Sequence, residues 1–325
     1  MEYSRREILK VLSGGPVASA AALAMANEGK SVGDCKVPPL AKSRLRVALM
    51  QIETRKDVQD NYRRALHMAR EAGHAKPDLM VFPELFAVGY RREGMAPYAQ
   101  SIPGPASREF AAVARECGCH IIFGLPQKVD KGIYNTLALL GPNGLIGLYH
   151  KTHLFYDPRV PYLNEQQLFL PGPRLGNFRT ALGALGLFIC HDGVYPEVPR
   201  CLTLNGADLL VWCLNNGQPM QWAPQHVYYN LIPLVTVNRV EEREGKPTAG
   251  IEGGGSALLA ADGKVICQSR EPKEEFLIGE VDLAQGRELR LKGEKMQAFF
   301  RVRRPDLYRA IVRRKPCYDR LPEAS

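Results

Sequence analysis

Short apolar runs alternate along this chain with stretches whose apolar positions recur at helical spacing. Leu45-Arg-Val-Ala-Leu-Met-Gln51 reads as a strand. Asp57 can cap a helix in which Val58, Tyr62, Ala65, Leu66, Ala69 and Ala72 share one face, and Gly73 ends it. The run Asp78-Leu-Met-Val-Phe82 is a second strand. A helix over 107–116, a strand over 120–125 and a hairpin turning at Asn143-Gly144 follow. Leu187-Phe188-Ile189 is a further buried strand, closed at Cys190 because Gly193 and Pro196 break any continuation. The pattern then predicts a helix near Pro196–Leu204, a strand over Leu209–Leu214, a helix from Gln221 to Tyr229, a strand over Leu234–Asn238 and a hairpin at Asp262-Gly263. Helices alternating with strands and mixed with hairpins predict a mixed α/β sheet system.

The N-terminus does not follow this pattern. Ser4-Arg5-Arg6-Glu7-Ile8-Leu9-Lys10 precedes the uncharged segment Val11–Ala26, which closes on Ala24-Met25-Ala26. The paired arginines, mild apolar run and small-residue ending resemble a twin-arginine export signal, with Ile8 in place of the usual phenylalanine. The resemblance implies a leader over 1–26, recognition by the twin-arginine export machinery, and a periplasmic or secreted destination in a bacterium. Residues 27–43, with Pro38 and Pro39, read as a linker.

Charge changes the picture only at the other end. The chain of 325 residues carries a net charge of +9. The segment from Arg287 onward supplies +7 of it. Phe299, Phe300, Tyr308 and Tyr318 accompany those charges, but nucleic-acid binding needs basic and aromatic residues interleaved on a folded surface. The extension 287–325 reads instead as a solvated or subunit-contacting tail, and no nucleic-acid partner is expected. Eight cysteines are too few for a disulfide scaffold. Cys117-Gly118-Cys119-His120 lacks the two-residue gap of a zinc pair, so Gly118 reads as a helix end and no metal is expected. Gly253-Gly254-Gly255 has no following Lys-Ser/Thr and reads as a loop near the site mouth rather than a phosphate cradle.

Three strand ends carry the candidate chemistry. By itself, Cys190 also fits a buried, inert thiol. Two other stretches bear on it: Val81-Phe82-Pro83-Glu84, where an apolar strand ends in a single acid, and Leu148-Tyr149-His150-Lys151, where a lysine ends another. A cysteine needs a base to become thiolate and a fixed cation to hold the charge that develops after attack. Glu84 can be the base and Lys151 the cation.

These stretches, in this order, resemble the nitrilase superfamily of carbon–nitrogen hydrolases. So do Tyr134-Asn135-Thr136, Pro142-Asn143-Gly144, Val237-Asn238-Arg239 and Arg303-Arg304-Pro305-Asp306-Leu307-Tyr308. The resemblance spans about Leu45 to Tyr308. It implies a four-layer α-β-β-α sandwich over residues 44–286. It assigns Cys190 as nucleophile, Glu84 as general base and Lys151 as oxyanion stabiliser. Glu165, ahead of Pro171-Gly172, falls where many amide-cleaving members carry a second glutamate that positions the lysine and the substrate. His191, through its backbone N–H, Asp192, Tyr195 and Asn215 form the expected oxyanion and substrate-binding set.

No cofactor is implied. Water and a small linear amide are the expected reactants, giving a carboxylic acid and ammonia. His191-Asp192-Gly193 departs from the tryptophan-containing pattern of nitrile-cleaving members. Tyr195-Pro196-Glu197 looks more like the aliphatic amidase and formamidase branch, which Phe155–Leu170 does not closely match. A nitrile, an N-carbamoyl amine, or a non-catalytic binding role on the same fold are the alternatives. Members commonly form dimers and larger homo-oligomers, which places part of Arg287–Leu321 at a subunit interface.

Overall fold

A computed structural model describes residues 39–91, 94–159, 164–215, 217–241, 253–291, 300 and 302–312. The arginine-pair leader, residues 27–38 of the linker and most of the extension beyond Leu291 lie outside the described residues.

The strands in chain order are β1 (Arg44–Gln51), β2 (Glu53–Thr54), β3 (Leu79–Val81), β4 (His120–Val129) and β5 (Gly132–Gly141). Then come β6 (Gly144–His150), β7 (Gly176–Thr180), β8 (Gly183–Ile189), β9 (Leu209–Leu214) and β10 (Leu234–Asn238). β11 (Val240–Glu241), β12 (Ala257–Leu259), β13 (Val265–Gln268) and β14 (Glu275–Asp282) complete the set. One six-stranded sheet runs β14-β1-β3-β4-β5-β6 and the other β13-β12-β10-β9-β8-β7. β1, β3 and β4 are mutually parallel, as are β8, β9 and β10. β6 reaches the direction of β4 again through two antiparallel steps, so β3, β4 and β6 all end at the same edge.

Alternation along the central strands builds two separate cores. In β1, Val47 and Leu49 face the second sheet while Ala48 and Met50 face the helices; Leu79 and Val81 against Met80 repeat this in β3. The helix Val58–Gly73 and the helix Pro105–Cys117 cover the outer face of the first sheet. Phe82, Phe86, Phe110 and Phe123 cluster there, with the Phe110 and Phe123 rings stacked at 4.5 Å. Burial of each such ring is worth roughly 1.5–3 kcal/mol. The helices Glu197–Leu204 and Ala223–Asn230 cover the second sheet, where Phe188 and Trp212 stack and His226 meets both edge-on. The layers are therefore α-β-β-α, as the family resemblance implied.

The local expectations hold with three adjustments. Asp57 caps its helix by accepting from the Gln59 and Asp60 N–H groups, and Gly118 ends the next in the left-handed region at φ 65°. That second helix starts at Pro105, because proline suits the first helical turn, two residues before the expected start. Pro219–Gln221 forms its own short 3-10 turn, so the following helix begins at Ala223 rather than Gln221. The expected domain end at Gly286 falls inside the helix Leu283–Leu291. Leu283 is buried, and Arg287 pairs with buried Asp208 at 2.7 Å, so the start of the basic segment belongs to the domain.

Candidate active site

Both parallel sets of strands end at one edge, where open α/β sheets place their ligand sites. Glu84 stands just beyond β3, buried at 0% exposure. The turn that carries it is tight: Leu85 lies at φ 44°, and its carbonyl accepts from the Val88 and Gly89 N–H groups. Gly124 of β4 makes room for it, since a Cβ there would fall 2.6 Å from the Leu85 nitrogen and 2.9 Å from Glu84 Cα.

Lys151 follows β6 and is 1% exposed. Its backbone N–H donates to the Asn135 carbonyl of β5 at 2.9 Å, and its own carbonyl accepts from Gly172 at 2.8 Å. A Cβ at Gly172 would meet the His150 carbonyl at 2.1 Å, so only glycine lets that segment close over the lysine strand.

Lys151 Nζ donates to Glu84 Oε1 at 2.9 Å and to Glu165 Oε1 at 2.8 Å. Glu165 opens the one-turn helix Glu165–Leu168 and is fully buried; its other oxygen accepts from the Phe155 N–H at 2.6 Å. Asn135 Nδ2 donates to Glu84 Oε1 at 2.7 Å. The Tyr90 hydroxyl lies 3.0 Å from the same atom and also contacts Glu165 Oε1. Glu84 Oε2 is buried and has no hydrogen-bond partner among the described residues.

Cys190 follows β8 and opens the 3-10 turn Cys190–Val194 with φ 40°, a left-handed conformation that costs a non-glycine residue of order 1 kcal/mol or more. Such strain persists only where surroundings over-determine it. The Trp212 indole N–H donates to the Cys190 carbonyl at 3.0 Å.

Asp192 holds the elbow from the opposite side. Its Oδ2 accepts from Tyr149 at 2.7 Å and the Ile189 N–H at 2.9 Å. Its Oδ1 accepts from Thr152 and the His153 N–H, each at 2.8 Å, and meets His153 Nδ1 at 3.0 Å. Burial alone would raise the Asp192 pKa, but these bonds hold it below its ordinary value. Asp192 was expected among the substrate-binding residues. With both oxygens occupied and 0% exposure, it instead ties the cysteine elbow of the second sheet to the lysine strand of the first.

The electrostatics follow from burial. Burial drives the Lys151 pKa down, but Glu165 and Glu84 hold it well above its ordinary value, so the ammonium is permanent. Burial pushes the Glu84 carboxyl up against the pull of Lys151. Burial, then the charge of Glu84, pushes the Cys190 thiol up, with Lys151 in opposition. At rest the sulfur keeps its proton and needs a neighbouring base to lose it.

The other expected residues sit around this centre. Burial, with Lys151 nearby, keeps the His191 imidazole pKa below its ordinary value, and its ring meets Phe155 and Tyr195 edge-on. Tyr195, 38% exposed, stacks on His153 at 4.1 Å. Asn215 Oδ1 is buried without a partner among the described residues. Gly253-Gly254-Gly255 lies beyond β10, where Asn238 Nδ2 donates to the Gly254 carbonyl at 2.8 Å. Sequence reasoning passed over Tyr90 and Trp212 and gave Asn135 no role. Only Asn135 had a signal, as a polar residue inside an apolar strand.

A buried lysine between two carboxylates and a strained thiol thus meet where the two sheets end, an arrangement suited to hydrolytic chemistry. Residues 46–291 match the carbon–nitrogen hydrolase family, and the chain belongs to it. A nitrilase of Pyrococcus abyssi is 33% identical over 256 residues, covering 76% of this chain and 92% of that protein. The omega-amidase of Homo sapiens is 30% identical over 283 residues, covering 83% of this chain and 99% of that one. The crystal structure of a carbon–nitrogen hydrolase from Helicobacter pylori G27 superposes with a TM-score of 0.73 at 26% identity, covering 83% of this chain and 99% of that one.

Proposed function

We propose that the protein hydrolyses a small linear amide to a carboxylic acid and ammonia through a thioester on Cys190. The unpartnered Oε2 of Glu84, buried beside a permanently charged lysine, is the observation that carries this reading. As sulfur attacks the amide carbon, Glu84 Oε2 takes the thiol proton. Two of the three Lys151 N–H groups are committed to carboxylates, which leaves the third for the oxyanion. Glu84 then passes its proton to the leaving nitrogen, and ammonia departs. Water attacks the thioester, with Glu84 as base, and releases the acid and the thiol. Glu165 keeps the lysine aimed.

The names borne by the relatives, nitrilase and omega-amidase, set the test. Ammonia release is measured on short aliphatic amides, ω-amides of dicarboxylic acids, N-carbamoyl amines and nitriles. Highest kcat/KM on an amide is expected. Turnover of nitriles alone overturns the amide reading, and release from none of them overturns the hydrolytic one.

We also infer that the protein works as a homodimer or larger oligomer. The helix Ala223–Asn230 exposes Tyr228 and Tyr229 at 55% and 56%, and adjacent Trp222 is 46% exposed. Arg200 donates to the Tyr229 carbonyl at 2.5 Å and holds its guanidinium 5.1 Å from the Phe300 ring, which brings the start of the tail to this same face. Such a patch on a soluble protein is ordinarily covered. Light scattering at micromolar concentration should give at least twice the chain mass, and a monomer mass refutes the inference.

A further inference from the structure

Tyr90 reaches the carboxylate cluster from a rigidly held turn. Gly89 before it lies at φ 63°. Arg91 after it is tied by Nε to the Val88 carbonyl at 2.7 Å and by its guanidinium to the Lys56 carbonyl at 3.1 Å. The ring rests edge-on against Phe169 at 6.4 Å. Its hydroxyl lies 3.0 Å from Glu84 Oε1 and against Glu165 Oε1, with Cys190 and Arg239 close enough to feel its charge.

The hydrogen-bond count around Glu84 is lopsided. Oε1 accepts from Asn135 and Lys151, which fills its two lone-pair directions, and lies 3.0 Å from the Tyr90 hydroxyl that also rests against Glu165 Oε1, while Oε2 meets nothing among the described residues. A carboxylate with two equivalent oxygens could rotate or take a proton on either. This one is pinned, with a single oxygen open.

We propose that Tyr90 is a positioning residue: its hydroxyl bridges Glu84 Oε1 and Glu165 Oε1 and, with Asn135 and Lys151, holds Oε1 in place, so that the proton exchanged with Cys190 and the leaving nitrogen has only Oε2 to occupy. This rests on Glu84 being the general base. The single hydroxyl proton is shared between Glu84 Oε1 and Glu165 Oε1 and stabilises the ionised pair, so its loss favours the protonated form of Glu84.

Tyr90→Phe tests this while keeping the ring against Phe169. In the full-length enzyme, kcat should fall roughly 10- to 100-fold through misplacement of the base, with KM within about threefold of wild type. The acid limb of the pH–rate profile should move up by about one to two pH units, the worth of one hydrogen bond to a charged group. Incorporation of 3-fluorotyrosine at position 90, which restores the hydroxyl, should recover both. A second readout needs no amide substrate: the pH dependence of Cys190 alkylation by iodoacetamide, followed on the Cys190 peptide by mass spectrometry. Its low-pH limb should shift in the same direction. Unchanged kcat and an unmoved limb in Tyr90→Phe overturn the proposal, as does a loss of kcat with both limbs unmoved, which is packing alone. If no amide is turned over, the alkylation limb still decides, so the two readings fail separately.

Discussion

Replacing Cys190 by alanine abolishes ammonia release and leaves the thermal unfolding transition near its wild-type position. The rate loss is expected to be on the order of 10⁴-fold or more, because the covalent route disappears and only binding and oxyanion stabilisation remain. The fold survives for a local reason. Alanine carries the same Cβ through the left-handed φ of 40°, and the Trp212 bond to the residue-190 carbonyl and the Asp192 network do not involve the sulfur. Near-wild-type ammonia release from the alanine variant, with circular dichroism unchanged, shows that the thiol is not the nucleophile.

Lys151→Ala is the second large effect, and it differs in kind. Turnover should drop at least ~10²-fold with the oxyanion donor. The variant should also lose about 3–5 kcal/mol of stability, because breaking a buried ion pair leaves charge uncompensated. Two carboxylates, Glu84 and Glu165, then face each other at 0% exposure. Removing the ammonium lifts the folded-state pKa of Glu84 still higher, since Lys151 is what opposes burial there. A carboxyl raised in the folded state destabilises above that pKa and relents as pH falls through it. The alanine variant should therefore recover stability toward acid. Glu84→Gln deletes a charge instead; it should lose at least ~10²-fold in kcat while melting close to wild type. Denaturation at pH 5 and pH 8 separates the cases, and a Lys151→Ala protein as stable as wild type at both values contradicts the account.

The grouping of Glu84, Lys151 and Cys190 was legible because each closes an apolar strand, and burial of that strand dictates where its end must lie. Glu165 was legible through its position between Lys151 and Pro171-Gly172. The sandwich itself came from family likeness, since periodicity specifies strands but not which sheet they join. Asp192 was misread for a physical reason. A polar side chain two residues from a nucleophile resembles a substrate contact, yet its partners Tyr149, Thr152 and His153 arrive from the other sheet, and no local pattern announces them. Tyr90 was missed likewise: its place follows from the left-handed turn at Leu85 and from Arg91 bonding to distant carbonyls. Strand β14 went unnoticed because most of its residues are only half buried, which blunts the apolar signal.

The bond network of Asp192 has a consequence for how the chain acquires reactivity. Glu84 and Lys151 come from one sheet and Cys190 from the other, and Asp192 fastens the two. The first sheet closes only when β14 pairs with β1, matching Arg44 to Asp282 and Gln51 to Glu275 across most of the chain. Contacts so distant in sequence form slowly and late. A partly assembled chain thus carries a solvated thiol with neither Glu84 nor Lys151 beside it. The cluster of Glu84, Lys151 and Cys190 therefore exists only once the two sheets have docked, and an immature chain presents the thiol without its charged neighbours.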